Sequence, residues 1–216
     1  MEPQMSELES IARAIVAPGK GILAADESSP TIKKRFDSIQ VESTEDNRRA
    51  YRQMLFAAAG AEQHISGVIL FDETLRQSTD DGTPFPKLLA ERGILPGIKV
   101  DKGAKDLAGA AGEKITEGLD GLRDRVAEYA GLGAKFAKWR AVIDIAEAIP
   151  SDYCLEANAH ALARYAALCL EGGIVPIVEP EVLMDGGHDL QRCYEVTERT
   201  LCRTFGALYA QRVPPE

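Results

Sequence analysis

In "KFAKWRAV", residues 135–142, Lys138 and Arg140 stand two positions apart among Phe136, Ala137, Trp139 and Val142. Alternate residues of an extended strand share a face, so the two cations project to the same side. An ammonium among apolar neighbours is costly to bury alone, so a carboxylate must lie close to Lys138. The same spacing recurs at Lys99 and Asp101 and at Glu179 and Glu181, and Asp26 closes the run "GILAAD". Lysines grouped with carboxylates suit carbonyl chemistry. Neighbouring ammonium groups depress one another's pKa and free an amine to attack a carbonyl, while carboxylates move the protons of carbinolamine formation and dehydration. Arginine and hydroxyl side chains nearby would hold a phosphate. On spacing alone, Lys138 is the candidate Schiff-base nucleophile.

These residues sit at the ends of five short apolar runs: "GILAAD" (21–26), "GVILFD" (67–72), "GIKVDK" (97–102), "KFAKWR" (135–140) and "GIVPIVEP" (173–180). Each begins at or near a glycine and ends in charge, the pattern of buried strands. Helical periodicity fills the intervals. "STEDNRRAYRQMLFAAAG" opens on a Ser43/Asp46 capping pattern and closes on Gly60, and "LDGLRDRVAEYAGLG" ends at Gly131 and Gly133. "SDYCLEANAHALARYAALCLEGG" and "HDLQRCYEVTERTLCRTFGALYAQR" are longer, with apolar residues every three or four positions. Strands joined by helical crossovers run parallel, and near-continuous apolar runs mean that both sheet faces are covered. Two architectures fit, an open doubly wound sheet and a TIM barrel. Polar groups arriving at the carboxyl ends of four strands, with no G-x-G-x-x-G after the first, favour the barrel.

Other charged residues have plainer readings. Asp72 and Asp101 suit helix caps or solvated charges. Lys34 and Arg35 suit a solvated helix face, and Met54 with Phe56 suits the core. The net charge of -9, with no extended basic cluster, argues against nucleic-acid binding. No apolar run approaches the length that spans a membrane, and "MEPQMSELES" lacks a signal pattern, so the expected compartment is the cytoplasm. Cys154, Cys169, Cys193 and Cys202 form no C-x-x-C pair and read as reduced, mostly packed thiols. His64, His160 and His188 lack ligand spacing, so neither a metal nor another cofactor is expected.

The ordered set "GKGILAADESSPTIKKRF", "NRRAYRQMLF", "GVILFDETL", "DDGTPFPKLL", "GIKVDKG", "GLDGLRDR", "GAKFAKWRAV", "EANAHALARYA" and "GIVPIVEPEVLMDGGHDL" resembles class I fructose-1,6-bisphosphate aldolase from about residue 10 to residue 205. The resemblance implies a (β/α)8 barrel that cleaves fructose 1,6-bisphosphate to dihydroxyacetone phosphate and glyceraldehyde 3-phosphate without metal. It makes Asp26 a carboxylate of C–C cleavage and Glu179 the acid/base of Schiff-base chemistry, with Glu181 supporting the lysine network. Lys138 becomes an auxiliary cation beside the nucleophile, in place of the nucleophile that spacing suggested. Ser28, Thr31, Lys99 and Arg140 would bind a phosphate and sugar hydroxyls, and Arg35 is a further phosphate candidate. The family forms homotetramers.

The departures are as definite. The family's Schiff-base lysine belongs to a sixth-strand segment reading Lys-Pro-Asn-Met-Val, and no such segment occurs in these residues. Pro30 and Thr31 replace a small residue and a serine, keeping the hydroxyl at position 31. Five strands over 216 residues give roughly 43 residues per βα unit, so eight would take about 345, within barrel range. The expectation is therefore one partial barrel domain over residues 1–216, with about five βα units and no activity of its own. Unpaired edges would favour self-association, and a non-catalytic interaction or regulatory role is the alternative.

Overall fold

The computed structural model describes residues 2–214. In chain order the elements are α1 (Glu2–Ile15), β1 (Gly21–Ala25), α2 (Ser29–Ser38), α3 (Glu45–Phe56), α4 (Ala61–His64), β2 (Ile65–Leu70), α5 (Asp72–Leu75) and α6 (Phe85–Glu91). They continue through β3 (Leu95–Lys99), β4 (Ala104–Asp106), β5 (Lys114–Thr116), α7 (Leu122–Gly131), β6 (Phe136–Ile143), α8 (Asp152–Glu171), β7 (Val175–Val182) and α9 (Leu190–Ala210). The main sheet has the order β1-β2-β3-β6-β7, and β4 and β5 form a separate antiparallel pair. Each expected apolar run overlaps a strand of the main sheet, with ends displaced by up to three residues. The β4–β5 pair lies in a stretch for which no strand was expected: its residues alternate too briefly to give a signal.

The chain divides into two compact units. The first comprises Met1–Lys99, Ala127–Ala137 and Gly173–Val175, and the second Val100–Val126, Lys138–Gly172 and Pro176–Glu216.

In the first unit β2 pairs in parallel with β1 and β3, from Ile22↔Gly67 to Ala25↔Leu70 and from Gly67↔Leu95 to Leu70↔Ile98. Within it β2 is buried beyond its first residue, whereas β1 exposes Gly21, Ile22 and Ala24. Phe136 at the start of β6 is fully buried, and its ring occupies space that two glycines leave open. A Cβ on Gly97 would lie 2.3 Å from the Phe136 ring and one on Gly67 2.9 Å, so a side chain at either position collides with it. Thr44, rather than the expected Ser43, caps α3 by accepting from the Asn47 N–H at 3.1 Å. Phe56 is in the core and stacks edge-on against Phe85, but Met54 is 61% exposed. The two residues are half a turn apart on α3, so packing one in the core turns the other to water.

In the second unit the buried Trp139 ring lies 5.5 Å from that of Tyr165 on α8, whose hydroxyl donates to the Ile177 carbonyl. Ser151 caps α8 and Asp189 caps α9. Leu107, Ile143, Ile145, Cys154, Leu155 and Val196 form a buried cluster where α8 and α9 pack together. Cys154 and Cys169 are buried, Cys193 is half-buried and Cys202 exposed, and all are free thiols. The residues of β7 are half-buried throughout.

Candidate active site

In the first unit, β1 ends at the fully buried Ala25, and the buried Asp26 follows before the turn into α2. Pro30 at the first turn of α2 has no N–H to satisfy and suits a helix start. The Ser28 carbonyl accepts from the N–H groups of Thr31 and Ile32, each at 2.9 Å. Its hydroxyl does no capping and lies 3.1 Å from the Thr31 hydroxyl. The two hydroxyls expected to bind ligand are thus paired with each other on one turn. Arg35 reaches back from α2, with Nη1 2.7 Å from Glu27 Oε1 and 3.5 Å from the Tyr51 hydroxyl. Lys99 stands half-buried at the end of β3.

No sequence pattern singles out Arg52. It lies on α3, is 1% exposed, and donates to the Ala25 carbonyl and to both the carbonyl and the carboxylate of Glu27. Burial lowers its pKa, and the Glu27 carboxylate opposes that shift. In the sequence it is one of three arginines in α3, and only tertiary packing sets it apart.

In the second unit, β6 shows the period expected of it. Lys138, Arg140 and Val142 are half-buried, while Trp139, Ala141 and Ile143 are buried. Lys138 Nζ lies 3.1 Å from Glu179 Oε2. This is an ion pair by distance, but its angles do not make a hydrogen bond, so the buried Glu179 Oε2 accepts none. Arg140 Nε donates to Glu181 Oε2, which makes Arg140 the partner of Glu181. The Arg140 N–H points to Asp101 Oδ2 at 3.4 Å, and Asp101 Oδ1 accepts from the Gly103 N–H at 3.0 Å. Asp101 therefore ties backbone rather than capping a helix. Asp72 does begin a helix, α5, and pairs with Arg76 one turn on.

Two further residues hold this arrangement. Thr116 on β5 donates its hydroxyl to the Arg140 carbonyl at 2.8 Å, and Asn158 on α8 accepts from the Thr116 N–H while donating to the Lys114 carbonyl. The β4–β5 pair thus links α8 to the middle of β6. No group of three or more histidine, cysteine or carboxylate side chains suited to a metal occurs among the described residues. No described helix is long and apolar enough to cross a membrane.

The Lys138–Glu179 pair, within β6 and β7 rather than at their ends, accords with the resemblance, and comparison with known proteins decides the family. The family model for glycolytic fructose-bisphosphate aldolase class-I matches residues 7–216. The chain belongs to this aldolase family. A probable fructose-bisphosphate aldolase class 1 of Xanthomonas campestris is 64% identical over 97% of this chain and 63% of its own length. Fructose-bisphosphate aldolase 6, cytosolic, of Arabidopsis thaliana is 57% identical over 94% of this chain and 56% of its own length. Among solved structures, the Plasmodium falciparum fructose-bisphosphate aldolase, in a ternary complex with TRAP and a small-molecule inhibitor, superposes with a TM-score of 0.94. It is 48% identical, over 96% of this chain and 60% of that one. The aldolase fold here is accordingly an α/β one, five strands of a TIM barrel, and the chain spans less than two thirds of the relatives it matches.

Proposed function

We propose that these residues supply the acid/base and cationic groups of a Schiff-base aldolase that reversibly cleaves fructose 1,6-bisphosphate to dihydroxyacetone phosphate and glyceraldehyde 3-phosphate in the cytoplasm, as part of glycolysis. The observation that carries this reading is the Lys138–Glu179 pair. Glu179 Oε2 is buried, 3.1 Å from an ammonium and without a hydrogen-bond donor, so it has accepting capacity in reserve for a reacting proton. In the reaction a carboxyl group protonates the carbinolamine oxygen as water leaves, and Glu179 takes that role. Lys138 stabilises the carboxylate that results. The C3–C4 bond then breaks, its electrons pass to the iminium nitrogen, and the C4 hydroxyl proton goes to a carboxylate, the role of Asp26. Arg140, Lys99, Ser28, Thr31 and Arg35 hold phosphate and sugar hydroxyls, with Glu181 orienting Arg140. The Schiff-base lysine is contributed by the sixth-strand segment that the resemblance places beyond these residues.

Borohydride trapping with dihydroxyacetone phosphate tests this, using residues 1–216 beside a chain extended through that segment. Trapping is expected in the extended chain alone, unaffected by EDTA, and Glu179→Gln should slow it by about 10²- to 10⁴-fold. Unaltered trapping rates would reduce Glu179 to a supporting carboxylate. Turnover by residues 1–216 that disappears in Lys138→Ala would make Lys138 the nucleophile after all. A second reading, a non-catalytic chain that associates with like subunits, is favoured by the exposed backbone edge of β1 and by the exposed Leu190, Tyr194, Phe205 and Tyr209 on α9. Size-exclusion chromatography of residues 1–216 distinguishes it: a monomer at high concentration would sink it.

A further inference from the structure

Arg52 is among the largest fully buried side chains, and its polar contacts go to the segment that carries Asp26. Nε donates to the Ala25 carbonyl at 2.8 Å, and one terminal nitrogen donates to the Glu27 carbonyl at 3.1 Å and to Glu27 Oε2 at 3.0 Å. Those two carbonyls flank Asp26 in the chain. A guanidinium is a rigid planar fork, so it fixes the peptide plane entering Asp26 relative to the one leaving Glu27. Spanning Asp26 and Glu27 in this way restricts their backbone dihedrals, and with them the direction of the Asp26 Cα–Cβ bond. The other Glu27 oxygen, Oε1, holds Arg35 Nη1 at 2.7 Å. Arg35 is 59% exposed, and a long side chain so open to water samples many rotamers unless something selects one. Glu27, itself 8% exposed, selects it.

We propose that Arg52, acting through Glu27, is a positioning residue that sets the direction of both the Asp26 carboxylate and the Arg35 guanidinium. This rests on the reading of Asp26 as a reacting carboxylate and Arg35 as a phosphate ligand. Buried from solvent, Arg52 cannot touch substrate. Its effect passes through two carbonyls and one carboxylate, and it couples a candidate catalytic group to a candidate binding group by a single cation. The same unit contains a control. Arg92 also donates to two carbonyls, of Phe56 and Ala58, and pairs with Glu62, but none of its partners is a candidate site residue.

Three measurements on the 216-residue chain test the proposal. Amide hydrogen exchange at residues 26–28 and ¹⁵N relaxation of the Arg35 Nε–H report positioning directly, and calorimetry with hexitol bisphosphate, the non-cleavable reduced substrate, reports its consequence. Arg52→Met should speed exchange at residues 26–28, mobilise Arg35 and weaken binding by about tenfold, the scale of one hydrogen bond to a charged group. Arg52→Lys, which keeps the charge but loses the fork, should not rescue. Arg92→Met should lower stability and do none of these. If Arg52→Met and Arg92→Met are indistinguishable in exchange and relaxation, Arg52 is only a structural tie and the proposal fails. If Arg52→Met does not fold, Glu27→Gln decides: it should mobilise Arg35 with residues 26–28 still protected, and an Arg35 as ordered as in the wild type overturns the proposal. Absence of binding by the wild type, or undiminished binding by Arg35→Ala, would instead refute the phosphate reading, with positioning decided by exchange and relaxation alone.

Discussion

Glu27 and Glu179 each face a cation, and water separates their roles. Glu27 is 8% exposed and bonded on both oxygens, to Arg52 and Arg35. Glu179 is 36% exposed, faces Lys138, and keeps one buried oxygen without a hydrogen bond. A carboxylate enclosed and saturated by donors has nothing left to give a reacting proton, and removing its partner strands a charge in the interior. A carboxylate that water reaches, with an unused acceptor, adds little to stability and is open to proton traffic. The first builds a turn, and the second is the one proposed to do chemistry.

Arg52→Ala should break the contrast hardest. It removes the donor from Glu27 Oε2 and from two carbonyls, and should cost about 3–5 kcal/mol in urea unfolding, enough to unfold much of a marginal domain. A cost near that of an exposed pair would show that water enters the cluster. Gly97→Ala probes packing beside this chemistry, since Phe136 stands two residues before Lys138 on β6. With a Cβ at 2.3 Å from the ring, it should lose about 1–3 kcal/mol by overpacking. Phe136→Leu should recover part of that loss, and additive effects would mean that the ring moves aside.

Glu179→Gln should change stability by less than about 1 kcal/mol, because its pair is partly solvated. A loss as large as that of Arg52→Ala would remove the distinction between the two carboxylates. The shallowest effect lies at alkaline pH, among buried thiols. Burial, with Glu113 adding to it, pushes the Cys154 thiol up to about 11, and burial raises Cys169 and Tyr165 further. An acid raised in the folded state stays protonated while the unfolded chain ionises. Stability should therefore be unaffected below the ordinary thiol range, near pH 8.5, and decline as pH rises towards 11. Cys169→Ala should flatten the decline, and an unchanged slope would assign it elsewhere.

Reading the sequence located the strands better than their ends. "GVILFD" was expected to run to Asp72, but Phe71 is already the residue preceding α5, and pairing with β3 stops at Leu70↔Ile98. An apolar run does not record where its neighbour ends. The α3 cap fell on Thr44 because adjacent hydroxyls offer the same chemistry and backbone geometry chooses between them. Met54 was misjudged and Arg52 passed over: the face of α3 that turns inward carries an arginine, because a buried acceptor set was waiting for it. The β4–β5 pair left no trace, since three-residue strands fall below any periodic signal.

By itself the sequence determined that Lys138 and Arg140 share one side of a strand and that Glu179 and Glu181 share one side of another. That follows from the two-residue repeat of extended backbone, a property of covalent geometry and steric exclusion within a few residues. Which carboxylate meets which cation was decided only by the fold. Arg140 and Glu181 are 41 residues apart in the chain, and Arg52 lies 27 residues from the Ala25 carbonyl it holds. Partnership and burial over such separations depend on strand register and on which helix face packs inward, and these are set by the burial of the whole core rather than by any residue's neighbours in sequence.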